Sequence, residues 1–182
     1  MKTYDWVDVA RARGLAYHAH GTQLYDHRPY VEHLDHVVRH LQHYGSMISV
    51  VGYLHDIVED TSATLDDVAQ NFDWQIAHAV DLVSDRPGPN RRARKAQSRK
   101  RLAACDARNP VHIAALITKA GDRLANLETC VKYQDSRLKM YCKEHTDFTA
   151  AVYRPGLCEG LWQRMSKIMV SALVTLNGDR SL

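Results

Sequence analysis

The stretch YLHDIVEDT sets an imidazole, three carboxylates and a hydroxyl within seven residues, His55, Asp56, Glu59, Asp60 and Thr61, in an otherwise apolar segment. Burying that many polar groups is costly, and a divalent metal offsets the cost by turning desolvated carboxylates into ligands. Two more donors stand at a distance, His33 in PYVEH and Asp122 in ITKAGDRLAN. Any of them alone is more often a surface or capping residue. A buried HD pair with ED one turn later is a different matter, and with His33 and Asp122 it makes a set of two histidines and two aspartates. Such a set with open positions suits Mn, Fe, Co, Ni or Zn, with Mg also open. A metal held there lowers the pKa of a bound water and polarises a phosphoryl oxygen. Glu59 or Asp60 would orient or deprotonate that water.

On a continuous helix His55 and Asp56 point about 100° apart, so both reach a metal lying over the groove between them. Glu59 and Asp60 follow them at i+4 and stay near that face. One helix cannot complete the coordination, so His33 and Asp122 must come from others. Asn126 lies at i+4 from Asp122, placed to hydrogen-bond substrate or a ligand; Lys119, one turn earlier, is placed to contact phosphate; Arg123 points elsewhere and reads as a structural ion pair. The run Arg91, Arg92, Arg94, Lys95, Arg99, Lys100, Arg101 is ordinarily a solvated helix face. Its functional reading is an electropositive rim for a polyphosphate. No aromatic residue interleaves it for base stacking, which argues against nucleic acid as a partner.

The elements that must position these residues read as helices almost throughout. The first runs from Asp5 to about His20. GTQLYDHRPY reads as a loop whose Pro29 starts a second helix through Val31, Leu34, Val37, Val38 and Leu41. Met47 to about Asp60 carries the motif as one helix. Thr64, with Asp67 three residues on, caps a short helix over 65–71, followed by one over 73–84. DRPGPN is a clear break. Helices over 91–106, from Asn109-Pro110 to about Tyr133, over 134–153 and over 157–176 complete the chain, the last with the apolar stripe Leu157, Leu161, Met165, Ile168, Ala172, Leu176. Tyr141, Lys143 and His145 read as closing the bundle. Strand signals are almost absent. The expected architecture is all-α, a bundle of about eight to nine helices in one domain over 1–182, with a motif core at about 4–130 and helices 134–178 packed on it.

The 182 residues, 45% apolar and 25% charged, are ordinary for a globular protein, and a net charge of +3 is too mild to argue for nucleic-acid binding. Cys105, Cys130, Cys142 and Cys158 form no CxxC pair and read as reduced thiols. The N-terminus lacks the apolar run of a signal peptide and IMVSALVTL is too short to span a bilayer, so a cytoplasmic protein with no membrane partner is expected. A homo-oligomer stays open.

The H…HD…D spacing in an all-helical chain resembles the HD-domain phosphohydrolase superfamily. More narrowly, PYVEH, LHDIVEDT and ITKAGDRLAN are similar to the hydrolase domain of the RelA/SpoT alarmone enzymes and their small single-domain relatives, over about residues 4–130. That resemblance implies His33, His55, Asp56 and Asp122 as ligands of a metal, typically Mn(II), Glu59 and Asp60 as water activators, and Asn126 in a nucleotide pocket. The implied substrate is a small nucleotide, and the implied reaction is removal of the 3′-pyrophosphate from guanosine 3′,5′-bis(diphosphate). The chain departs from the pattern where the alarmone hydrolases carry an Arg-Lys pair: Leu24 and Tyr25 stand there, and His27 replaces a glycine. Gly121 replaces a bulky apolar residue before the aspartate. Tyr25 would then stack on a base, and Arg28 or the 91–101 run would supply phosphate contacts. The alternatives are an enzyme of the same fold acting on dNTPs or dNMPs and a nucleotide-binding regulator without turnover.

Overall fold

Among the described residues, five helices start at a residue whose side chain caps them. Asp5 and Asp8 form a capping box at α1 (Trp6–His20), and Thr64 and Asp67 another at α5 (Leu65–Asn71). Asp73, Asn90 and Asn109 accept backbone N–H groups at the starts of α6 (Trp74–Val83), α7 (Arg91–Ala103) and α8 (Pro110–Lys132), and Pro110 fills the first position of α8, where its missing N–H costs nothing. The others are α2 (Tyr30–Leu41), α3 (Ser46–Leu54), α4 (Ile57–Asp60), α9 (Arg137–Val152) and α10 (Glu159–Gly178). The computed structural model describes residues 2–178, with side chains through residue 172; Leu176 of the apolar stripe and the ends of the 1–182 domain span lie outside the described residues.

The all-α architecture stands, with ten α-helices among the described residues. The expected helix over 47–60 is in fact two, α3 and α4, interrupted at His55–Asp56. Asp56 has φ −106° and ψ −2°, and its carbonyl accepts from both Glu59 and Asp60 N–H. The Gly52 carbonyl, which in an unbroken helix accepts the Asp56 N–H, receives His55 Nδ1 at 2.8 Å. The 21–29 loop holds a small hairpin that no alternating pattern announces: β1 (Leu24–Tyr25) pairs antiparallel with β2 (Arg28–Pro29), Tyr25 opposite Arg28. Asp26 turns it at φ 58°.

α8 is buried nearly all round, as a helix at the centre of a bundle must be. It packs against α2, α3 and α6 on one side and α9 and α10 on the other. Leu41 of α2 explains how closely three of these helices approach. It is fully buried, and a Cβ built on Gly52 of α3 would lie 2.6 Å from its Cδ1, one on Gly121 of α8 2.5 Å from its Cδ2. Gly121 is thus a packing requirement one residue before Asp122.

Candidate metal centre

Three elements converge. His33 comes from the first turns of α2, His55 and Asp56 from the break between α3 and α4, and Asp122 from the middle of α8. Donor atoms of His33, His55 and Asp122 lie within 4.8 Å of one another. His55 Nε2 stands 3.0 Å from Asp56 Oδ2 and 3.7 Å from Asp122 Oδ1; His33 Nε2 stands 3.6 Å from Asp122 Oδ1 and 3.9 Å from Asp56 Oδ2. Both rings are buried.

The residues fit a divalent metal. His55 Nδ1 donates to the Gly52 carbonyl, which fixes the tautomer and aims the Nε2 lone pair into the cluster, where that buried nitrogen has no hydrogen-bond partner. Burial pushes His33 down to about 4, only partly opposed by Asp122 and Asp56, so its ring is neutral and ready to ligate. Burial also pulls on His55, but Asp56 and Asp122 outweigh it and raise the ring to about 10. Both carboxyls are held below their ordinary range despite burial, Asp56 chiefly by His55 and Asp122 by Lys119 and His55.

A layer of hydrogen bonds holds the ligands. Asn126 Nδ2 donates to Asp122 Oδ1 at 2.6 Å, and Asn126 Oδ1 accepts from the Tyr25 hydroxyl. The Tyr25 ring stacks on His33, centroids 4.4 Å apart and planes 7° from parallel, while Arg137 lies 5.5 Å from its centroid. Tyr25 and Asn126 thus spend their polar atoms on the cluster. The Tyr30 hydroxyl lies 2.7 Å from Asp56 Oδ2 and 2.6 Å from Asp60 Oδ2, and its ring stacks on His20. Tyr30 was not among the expected site residues, although it stands in PYVEH one helical turn before His33. Glu59 Oε2 accepts from the backbone N–H of Asp85 at 2.9 Å; burial raises its carboxyl against that bond. Asp85 itself takes Lys95 at 2.8 Å and Ser98 at 2.5 Å, tying α7 to the site. No sequence signal marks Asp85, which reads only as the edge of a proline-glycine break.

Asp122, Asn126 and Lys119 also line a cavity of about 80 Å³ with Arg91, Lys95, Arg99, Arg123 and Tyr141. The basic run thus divides. Arg91, Lys95 and Arg99 face this cavity, and Arg101 instead pairs with Asp81 at 2.6 Å. Lys119, between Asp122, Asp56, Glu59 and Asp85, keeps its proton although burial opposes it. Arg123 does pair with Glu144, at 3.5 Å, but it is buried, lies against Tyr141 and Phe148, and its Nη1 has no protein partner. Tyr141, expected to close the bundle, lines the cavity. Arg28 is not brought in: its guanidinium sits over the Tyr133 ring, 4.6 Å from the centroid, in a different cavity.

No family model matches the chain. A guanosine-3′,5′-bis(diphosphate) 3′-pyrophosphohydrolase from Spiroplasma citri is 32% identical over 117 residues, covering 62% of this chain and 15% of that protein. The Homo sapiens protein of the same description, MESH1, is 36% identical over 103 residues, 54% of each chain. A solved structure described as a metazoan ortholog of SpoT that hydrolyzes ppGpp superimposes with a TM-score of 0.78 at 21% identity, covering 94% of this chain and 98% of that one. The chain is therefore similar in sequence to these proteins and has the helical fold of that solved structure. It spans between 15% and 54% of the length of these two curated relatives. Among the described residues no helix is long and apolar enough to cross a membrane.

Proposed function

We propose that this chain is one helical domain acting as a metal-dependent nucleotide phosphohydrolase, a guanosine 3′,5′-bis(diphosphate) 3′-pyrophosphohydrolase with Mn(II) as its metal. The observation that carries the reading is that one residue, Asp122, belongs both to the His33–His55–Asp56 cluster and to a cavity walled by Arg91, Lys95, Arg99, Lys119 and Arg123. A hydrolytic centre and an anion-binding wall are what cleavage of a phosphate ester requires. The names of the relatives point the same way.

His33, His55, Asp56 and Asp122 would hold the metal, whose chemistry is to acidify a water and polarise a phosphoryl oxygen. Glu59, fixed by the Asp85 N–H and with its carboxyl raised, is suited to take the water's proton. Asp60, held with Asp56 by the Tyr30 hydroxyl, fixes the edge of the cluster. Lys119 and the unpartnered Nη1 of Arg123 meet phosphoryl oxygens. The cavity is small beside the roughly 300–1,000 Å³ of a typical ligand pocket, so it accepts phosphoryl groups while base and sugar lie across its rim.

One observation favours a second reading, a deoxynucleotide phosphohydrolase: Tyr25 is engaged by His33 and Asn126 instead of standing free to stack on a base. Chromatography of products after incubation with Mn(II) separates the two, with Asp56→Ala as the blank. GDP and pyrophosphate from guanosine 3′,5′-bis(diphosphate) is the expected result. Inertness toward it with cleavage of a dNTP or dNMP would establish the second reading, and inertness toward all of them would leave a regulator without turnover.

A further inference from the structure

The seam between α2 and α8 carries a second cluster, one to two turns along α2 from His33, or about 5–10 Å. His36 and His40 are one turn apart, and both direct Nε2 at the same oxygen of Glu128 on α8: Oε2 lies 2.9 Å from His36 and 3.0 Å from His40. The other carboxylate oxygen accepts from Arg164 Nη2 of α10, and Arg164 Nη1 stands 3.2 Å from His40 Nδ1. His40 is buried, whereas His36 and Glu128 open on a cavity of about 450 Å³ whose wall includes Arg28, Arg39 and Tyr133. The two ring nitrogens and the carboxylate oxygen lie within 4.8 Å of one another.

We propose that His36 Nε2, His40 Nε2 and Glu128 Oε2 form a second divalent-cation site, of the kind that takes zinc, with water from the cavity as fourth ligand. Histidines at i and i+4 present both rings on one side of a helix. Two imidazoles and one carboxylate are a zinc donor set, and bonds of about 2.0–2.1 Å at tetrahedral angles separate ligand atoms by about 3.3 Å. The observed 2.9 and 3.0 Å need open by only a few tenths of an ångström. Two imidazoles aimed at one oxygen make a crowded hydrogen-bond arrangement but a natural chelate. Arg164 supplies the positive charge that the ion would bring, and its side chain is 51% exposed, free to swing into solvent. When Nε2 of His40 ligates, the ring proton moves to Nδ1, and Arg164 Nη1 must withdraw from it. Arg164 and the cation therefore compete. The site shares no residue with the His33–His55–Asp56–Asp122 cluster and does not depend on the activity proposed for it.

The test is metal stoichiometry on the full chain. Metal-depleted protein is titrated with Zn(II), freed of excess and analysed for bound metal, and a parallel Co(II) titration reads coordination by visible absorption. Wild type is expected to hold two equivalents, and His36→Gln/His40→Gln one, with the Co(II) band of the second site gone. Arg164→Ala is expected to bind the second equivalent more tightly, by about tenfold. Glutamine keeps a donor toward Glu128, so the fold is retained; if the double variant nevertheless unfolds, Glu128→Gln replaces it with the same expectation. Equal stoichiometry in wild type and in the ligand variant would overturn the proposal. So would a wild type that holds a single equivalent which His55→Ala loses. Failure of the first site is read separately, as loss of an equivalent in His55→Ala being absent.

Discussion

At the residue scale, His55 does two jobs with its two nitrogens. Nδ1 takes the Gly52 carbonyl and so both ends α3 and frees Nε2 for the cluster. His55→Ala should therefore abolish metal binding at this cluster, read in calorimetry as the loss of one equivalent, as well as turnover, and full activity in that variant would sink the assignment. Glu59 is held by the Asp85 N–H at 2.9 Å. Glu59→Gln should keep metal affinity while lowering kcat by about 10²- to 10⁴-fold. Tyr25 reaches Asp122 only through Asn126. Tyr25→Phe removes the hydroxyl but keeps the ring on His33, and should weaken metal binding by about tenfold or more, measured by competition with a chromophoric chelator; unchanged affinity would mean that Asn126 is held without it. The candidate donor set was legible in the sequence because the residue types are rare in apolar surroundings. The roles of Tyr25 and Asn126 were not, because a motif shows which side chains exist and not which neighbours their polar atoms find.

At the element scale, the site depends on three helices brought unusually close. Leu41 fills the space left by two absent side chains, Gly52 and Gly121. Because Leu41 is fully buried between them, it cannot swing away from a new methyl group. Gly121→Ala should cost about 1–3 kcal/mol by overpacking, seen as a lower midpoint in urea. Combined with Leu41→Ala, the loss should be less than the sum of the two single changes, since each relieves the other; strict additivity would show that the contact is not strained. The interruption of the motif helix was not legible: Met47 to Asp60 has no proline or internal breaker beyond Gly52, and the break arises from a side chain competing for a backbone carbonyl.

At the scale of the whole molecule, charges tie distant segments together. Asp35 on α2 takes a bidentate Arg13 from α1 at 2.8 Å and the Tyr53 hydroxyl from α3 at 3.0 Å. Burial raises its carboxyl, but those partners outweigh burial, and the net shift is downward from 3.8. Asp85 behaves likewise, with Lys95 and Ser98 overcoming burial. A carboxylate whose native pKa is depressed adds stability above its unfolded pKa and loses it as pH falls through the native one. The contribution of these two carboxylates to the melting temperature should thus be level above about pH 5 and fall as the medium is acidified below about pH 4. Asp35→Asn and Asp85→Asn should melt lower near neutrality and show a shallower acid decline; parallel curves for mutant and wild type would refute the assignment.

The sequence by itself determined the helical class, side-chain caps such as that of Thr64, and the candidate metal donors His33, His55, Asp56 and Asp122. These follow from local periodicity, from side chains that bond their own backbone, and from the cost of burying charge without a ligand. Tertiary structure alone decided that Arg123 and Tyr141 share a cavity with Asp122, that Arg28 does not, that Asp85 fixes Glu59, and that His36, His40 and Glu128 meet. Such relations join residues far apart in the chain, 26 positions for Glu59 and Asp85 and 92 for His36 and Glu128, between helices whose relative rotation is set by packing around residues such as Leu41, and no local pattern along one helix records which face its neighbour will present.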